Sequence, residues 1–336
     1  MKKGKITENV LKRSVLKYIH KKNDEVIKGA GIGEDCAFLC WKPNNMSVST
    51  QTMTLPIKEA GKYAVYATVN NLAAGGAKGI AASVSITLPV EGEEVRLQEL
   101  MKQIVEVCDQ LQIQVTGGHT EVTDAVKTPI VTVTAFGTPM QDVPDCTIQE
   151  NGKPGLSIVM TKWLGLEGTV ILAKEKEEEL LARYPAHLIK SAQGFEKYLP
   201  IIPEAATALK SGVCAMHDVR NGGVFGALFE LSRRMGVGLS VNLKQIPVKQ
   251  ETIEICEFFD LNPYELLSGG CLLVVTENGE KLVEDLRNEN IPAAIIGETI
   301  SSNDKIVVNG EETRFLEPAG PDEICKINFV PANKIR

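Results

Sequence analysis

The chain has 336 residues, enough for two domains of ordinary size, and at 43% hydrophobic it can bury a full core in each. Acidic residues outnumber Lys and Arg by 43 to 36, giving a net charge of −7, so there is no general basic footprint for nucleic acid or a membrane surface. Aromatic residues, at 5%, offer few stacking platforms.

Charges interrupt every apolar stretch in residues 1–23, which excludes a signal-peptide core, and no run of 18 apolar residues predicts a transmembrane span. Ile6, Val10, Leu11, Ser14 and Tyr18 fall at helical spacing behind a capping Thr7, predicting an amphipathic helix. The eight cysteines include no CxxC pair, and Cys36 and Cys40 lack the histidines or second pair of a zinc site. Reduced thiols in a cytoplasmic protein are expected.

The Gly-rich loop KGAGIGEDCAF follows, then a short strand MSVST and a helix over 59–74. A strand is predicted over 80–88. The stripe Val95, Leu97, Leu100, Met101, Ile104, Val105, Cys108 and Leu111 predicts a helix over 93–111. IQVTGG and PIVTVTAFG complete a β-α-β-α-β-β series over 46–137, an α+β layer of sheet and helices. The Pro-, Asp- and Gly-rich segment MQDVPDCTIQENGKPG places a domain boundary there, giving domains 1–148 and 149–336. The second domain reads as α/β. Strands are predicted in LSIVMTK, CAMHDV, SVNL, CLLVVT, AAIIGE and KIVV, and helices in GLEGTVILAKEKEEELLARY, 187–197, 203–211, VFGALFELSRRM, VKQETIEICEFF and EKLVEDLRNE. The charge run Lys174–Glu179 reads as a solvated helix face.

Several polar stations lie at the ends of these elements, where sheet proteins build pockets. In GIGEDCA, Gly31 and Gly33 form a flexible turn before Glu34 and Asp35. Paired acids there suit a divalent cation carrying phosphates, or are simply solvated loop acids. Gln51 ends a short strand. Asn70 and Asn71 lie on a helix of small residues, unusual for a mediocre helix former, although small residues alone suit close packing. Gly117 and Gly118 in VTGGHTEVT mark either a tight turn or a close approach to the backbone. His119 and Glu121, at i and i+2, share one face of an extended segment. In the second half, Asp218 and Asn221 precede Gly222–Gly223 either as groove residues or as caps of the next helix, Arg220 is a candidate phosphate contact, and Arg233 and Arg234 are expected to face solvent.

The ordered series GxGEDxA, VST, VNxLAxxGA and TGGHTEV, followed by MHDVRNGGVFGALFELSRRMGVGLSVNLKQIPV, ELLSGGCLLVV and AAIIGE, resembles the AIR synthase (PurM-like) superfamily from about Gly29 to Glu323. Within it the pattern looks like the branch of the hydrogenase maturation factor HypE and AIR synthase-related proteins. The resemblance implies an N-terminal domain that pairs with its copy in a homodimer to close a β-barrel, an α/β C-terminal domain, and ATP with Mg²⁺ in a groove between them. It implies nucleotide contacts from Gly33, Glu34, Asp35, Gln51, Asn70, Asn71, Gly117, Gly118 and Asn221, metal ligation by Asp35 and Glu121, and catalytic roles for His119, Glu121 and Asp218, with His119 as proton carrier. Gln51, Asn71 and His119 stand where the family usually carries acids, which removes charge that would balance Mg²⁺. HypE proteins carry a carbamoyl group on a terminal Cys, whereas eleven residues follow Cys325 here. The implied function is ATP-dependent dehydration of a carbamoyl or amide group in hydrogenase maturation, together with another maturation protein. Alternatives are a nucleotide- or small-molecule-binding homodimer without metal-dependent catalysis, and an ATP-dependent synthase or kinase of another branch.

Overall fold

Two sheets organise the chain, one from each half. The computed structural model describes residues 8–14, 16, 26–29, 31–41, 44–140 and 152–329. Helix α1 (Glu8–Ser14) realises part of the first expected helix, while Thr7, Tyr18 and the expected boundary at 148/149 lie outside the described residues.

The first sheet contains β1 (Val26–Lys28), β2 (Ala37–Trp41), β3 (Asn44–Met53), β4 (Ala77–Pro89), β5 (Gln114–Thr123) and β6 (Ile130–Pro139), in the order β1-β2-β3-β6-β4-β5. Helix α2 (Ala60–Ala74) leads into β4, and α3 (Glu94–Gln110) makes the crossover to β5, which runs parallel to β4. The other pairings of this sheet are antiparallel. Only part of the predicted stripe of α3 is used: Leu100, Ile104 and Cys108 are buried, but Val95 and Val105 are exposed, and Val107, outside the stripe, is buried instead. β1 and β2 are strands the sequence reading did not separate from the Gly-rich loop.

The second sheet contains β7 (Ser157–Thr161), β8 (Ala215–Val219), β9 (Gly238–Asn242), β10 (Cys271–Thr276), β11 (Ala293–Ile300), β12 (Lys305–Asn309) and β13 (Glu312–Phe315), in the order β13-β12-β9-β11-β7-β10-β8. The helices are α4 (Leu166–Glu175), α5 (Glu177–Leu181), α6 (Ala186–Gln193), α7 (Ile202–Ser211), α8 (Gly223–Met235), α9 (Gln250–Phe258) and α10 (Gly279–Asn288). Strands β7 and β10 are largely apolar runs with neighbours on both sides within the sheet, and β8, although buried throughout, carries His217 and Asp218.

Helix α2 is buried almost all round because it packs on the first sheet on one side and on β8 and α7 of the second half on the other. That explains its small residues. It also corrects the expected role of Asn70. Its Nδ2 donates to the Leu199 carbonyl (2.8 Å) and its Oδ1 accepts from the Ile201 amide (3.2 Å), so both ends of the amide are spent joining the halves.

The double glycine is not a turn. β5 runs straight through Gly117 and Gly118 to Thr123. Opposite β4 the register slips by one residue between Val115 and Gly117, leaving Thr116 as the extra residue of a β-bulge, its hydroxyl donating to the Ala82 carbonyl (3.1 Å). A Cβ at Gly118 would run into the Val84 backbone of β4, whereas Gly117 faces open space. The backbone that approaches Gly118 is thus the neighbouring strand. Gly118→Ala is expected to lower stability by about 3 kcal/mol through overpacking. Denaturant unfolding checks this, and a wild-type midpoint would remove the close-approach explanation.

Candidate functional site

The loop between β1 and β2 can lie against α8 because residue 33 is glycine. Gly33 adopts a left-handed φ of 71°, and a Cβ there would sit 2.8 Å from the Glu230 carbonyl. Beyond the turn, Glu34 pairs with Lys28 (2.8 Å) and Asp35 points toward the second half. The main chain of Asp35 is fixed by Ser49, whose hydroxyl donates to its carbonyl (3.2 Å), while Asn71 Nδ2 donates to Ser49 Oγ (3.2 Å).

From the other side comes the end of β8. After Val219 the chain turns through Gly222 and Gly223, both with positive φ (79° and 61°), and a Cβ on Gly223 would collide with the Tyr264 carbonyl. The Gly222 amide is held by Asp322 Oδ2 (2.7 Å). A cavity of about 260 Å³ lies between the two sides. Gly33, Glu34, Asp35, Gln51 and Asn71 line it from the first half, and His217, Asp218, Arg220, Asn221 and Glu230 from the second.

His217 is buried between two carboxylates. Its Nδ1 donates to Asp35 Oδ2 (2.8 Å) and its Nε2 to Glu230 Oε2 (3.2 Å). With both ring nitrogens donating, the ring is an imidazolium. Its pKa is pushed up to about 9, since burial works against the charge but Asp35 and Glu230 outweigh it. Asp218, 5% exposed, is the opposite case. Both carboxyl oxygens are buried and neither has a hydrogen-bond partner among the described residues. Burial first, and the charge of Asp35 second, push it up to about 8, against the pull of Arg220 and His217.

The structure brings together Gly33, Glu34, Asp35, Gln51, Asn71, Asp218 and Asn221. It does not bring Gly117, Gly118, His119 or Glu121 to this cavity. They lie on β5, an edge strand with nearly every side chain exposed, where His119 Nε2 meets Glu121 (3.2 Å). Asp35, expected as a metal ligand, has its Oδ2 engaged by His217. Among the described residues no group of three His, Cys, Asp or Glu side chains is arranged to hold a metal ion. What does fit a cation is the unpartnered carboxyl of Asp218, since Mg²⁺ commonly takes one or two carboxylates with the remaining positions filled by water and phosphate.

Glu230 and Arg234 were missed by the sequence reading. Arg234 does not face solvent: it donates to the carbonyls of Gly33 (3.3 Å) and Met216 (2.6 Å) and lies 3.6 Å from Asp35 Oδ2. The available signal was spacing, because residues 230 and 234 are one helical turn apart on α8.

With this geometry in place, the relatives become informative. Residues 22–138 match the family model "AIR synthase related protein, N-terminal domain", and residues 153–309 match "AIR synthase related protein, C-terminal domain". The chain belongs to the AIR synthase-related family. It is 26% identical over 259 residues to a putative hydrogenase expression/formation protein of Methanocaldococcus jannaschii, covering 75% of this chain and 74% of that one. It is 25% identical over 280 residues to the carbamoyl dehydratase HypE of Rhodobacter capsulatus, covering 82% and 79%. Its fold is similar to HypE in a HypE–HypF complex (TM-score 0.72, 22% identity, 91% and 99% covered) and to HypE in complex with ATP (0.70, 19%, 94% and 96%). It is also similar to a ThiL complexed with AMPPCP and TMP (0.71, 19%, 94% and 96%).

Two outcomes follow for the family member as folded. Asp35→Asn leaves His217 with one carboxylate, and a stability loss of about 3 kcal/mol is expected from breaking the buried pair. The pKa of His217 is raised from 6.5, so its stabilisation is complete below pH 6.5 and lost as pH rises through about 9. Asp218, raised from 3.8, acts in the same direction up to about 8. The melting temperature of the ligand-free protein should therefore fall from pH 6.5 to 9, and His217→Gln should flatten part of that fall. A level wild-type profile would refute the imidazolium bridge.

Proposed function

We propose that the cavity binds the phosphate end of ATP, and that the chain is a HypE-like, ATP-dependent protein of hydrogenase maturation that dehydrates a carbamoyl or amide group. The observation carrying this reading is Asp218, a buried carboxyl without a hydrogen-bond partner among the described residues, lining a polar cavity between the two family-matched segments. The relatives named for carbamoyl dehydration and the ATP-bound HypE of like fold support it. In the reaction the carbamoyl oxygen attacks the γ-phosphorus, the β–γ P–O bond breaks to release ADP, and loss of phosphate and a proton leaves a nitrile. Mg²⁺, when bound, would offset the charge on the phosphates. Asp218 would hold that cation. The neutral amides of Gln51 and Asn71 can donate to phosphate oxygens, and His217, fixed between Asp35 and Glu230, adds positive charge to the wall.

The homodimer belongs to the same proposal. β5 is a ten-residue edge strand whose main chain can pair with a second copy, and Val122 on it is 60% exposed. His119 and Glu121 would then lie at the dimer seam. The HypE–HypF complex supports a maturation partner. No helix among the described residues is long and apolar enough to cross a membrane. A cytoplasmic location is part of the proposal. We also keep the two domains, 1–148 and 149–336, as part of this reading. A second reading, a nucleotide binder without phosphoryl transfer, is favoured by the engagement of Asp35 with His217.

Calorimetry with ATP in the presence and absence of Mg²⁺ decides. Mg²⁺ is expected to tighten ATP binding about tenfold or more. Asp218→Asn should abolish that increment while melting at or above the wild-type temperature. ATP binding indifferent to Mg²⁺, without phosphate release, selects the non-catalytic reading, and no ATP binding at all overturns both.

A further inference from the structure

Arg220 follows Asp218 by two residues where β8 leaves the sheet, and both line the cavity. Its guanidinium is nearly buried, and only part of it is used. Nε donates to Glu167 Oε2 (3.1 Å) and Nη2 to Glu167 Oε1 (3.0 Å), a parallel fork on one carboxylate. Nη1 makes no hydrogen bond to a described residue.

Glu167, 3% exposed, sits in the first turn of α4, and contacts made at Gly269, Gly165 and Gly168 put it there. A Cβ on Gly269 would land on the Glu167 carboxylate, so only glycine leaves room for it. Gly165 precedes α4 with a left-handed φ of 70°, and its amide donates to Ser268 Oγ (2.7 Å). The Gly168 amide donates to the Leu267 carbonyl (2.8 Å), and the Ser268 amide donates back to the Arg220 carbonyl (3.2 Å). The segments around 165, 220 and 268 are therefore one locked assembly. A buried ion pair serving the core alone is no better than apolar residues of the same volume. Holding a guanidinium at a cavity wall with donors to spare is something apolar residues cannot do.

We propose that Glu167 is a positioning residue that fixes Arg220 as an anion hook, and that the hook takes a phosphate group directly, without a metal ion, beside an Asp218 reserved for a cation. This rests on the phosphate-binding reading of the cavity and adds which side chain meets the anion and what holds it. A fixed, permanently charged fork suits the planar array of oxygens on a phosphate better than a flexible ammonium does.

The test uses full-length protein, inorganic tripolyphosphate and ATP as probes, and EDTA to exclude divalent ions. Wild-type protein is expected to bind tripolyphosphate in EDTA. Arg220→Gln should weaken it about 30-fold, the scale of one hydrogen-bonded charge. Arg220→Lys, which keeps the charge but cannot fork, should weaken it about tenfold. Glu167→Gln should have a similar effect, partly restored in Glu167→Asp, and should leave the Mg²⁺ increment intact. The salt dependence of tripolyphosphate binding should become shallower in Arg220→Gln, which a purely structural role would not cause. Unaltered tripolyphosphate affinity in folded Arg220→Lys and Glu167→Gln overturns the hook. Wild-type protein that binds ATP only with Mg²⁺ and shows no tripolyphosphate binding in EDTA overturns the hook and leaves the nucleotide reading standing. Binding of neither probe under any condition overturns both. Tripolyphosphate binding as tight as that of ATP identifies the polyphosphate itself as the recognised group, and a strong preference for ATP adds recognition of the nucleoside.

Discussion

The contact on which the rest depends is the bridge from Asp35 through His217 to Glu230. An isolated buried carboxylate or imidazolium is unfavourable in a low-dielectric interior, and the two are tolerated because each meets the other with a hydrogen bond. Asp35 belongs to the first sheet's approach loop, whereas His217 and Glu230 belong to β8 and α8. Asp35 takes its countercharges, His217 and Arg234, from the second half, so satisfying its buried carboxylate requires the halves to meet in one orientation. Arg234, reaching the Gly33 carbonyl from the same helix, reinforces that orientation. The cavity is what remains beside the bridge.

Other joints tie the halves away from the cavity and share its logic. Asn70 on α2 binds the backbone at Leu199 and Ile201. The same segment is gripped from the other side by Lys162, whose Nζ donates to the carbonyls of Tyr198 (2.7 Å) and Pro200 (2.8 Å) and pairs with Glu204 (2.5 Å). On the rim, Lys62 and Lys174 each bridge Glu59 and Glu196. The run Lys174–Glu179 is thus only partly a solvated face: Lys174 enters this ring and Glu175 accepts from the Lys58 amide (2.6 Å).

Period and composition made most of the fold legible. The helices now found at Ala60–Ala74 and Glu94–Gln110 and the apolar strands β7 and β10 follow from apolar spacing and run length, which act locally. The ordered motifs located Gly33, Asp35, Gln51, Asn71 and Asp218 on one cavity. The double glycine was harder. A glycine that admits a ligand and a glycine that admits a neighbouring strand look alike in sequence, and only the bulged pairing of β5 with β4 separates them. Glu167, Glu230 and Arg234 were hard to place for a related reason, the one-turn spacing of Glu230 and Arg234 being the sole signal. A charged residue in an amphipathic helix reads as solvent-facing unless its partner, 53 residues away for Glu167 and Arg220, is known.

Among the described residues Lys162–Glu204 and Arg220–Glu167 are buried ion pairs, and against them the groups at the cavity stand out. Asp218 has two idle oxygens, and Arg220 retains donors beyond its fork on Glu167. They are opposite in sign, two residues apart, and open to the same space. In the ligand-free protein Asp218 is held toward its neutral form by burial and by Asp35. A cation arriving with a phosphate would reverse that balance, favouring the carboxylate just as the guanidinium gained its anion. The two binding events would then favour one another, because each supplies the countercharge the other side lacks.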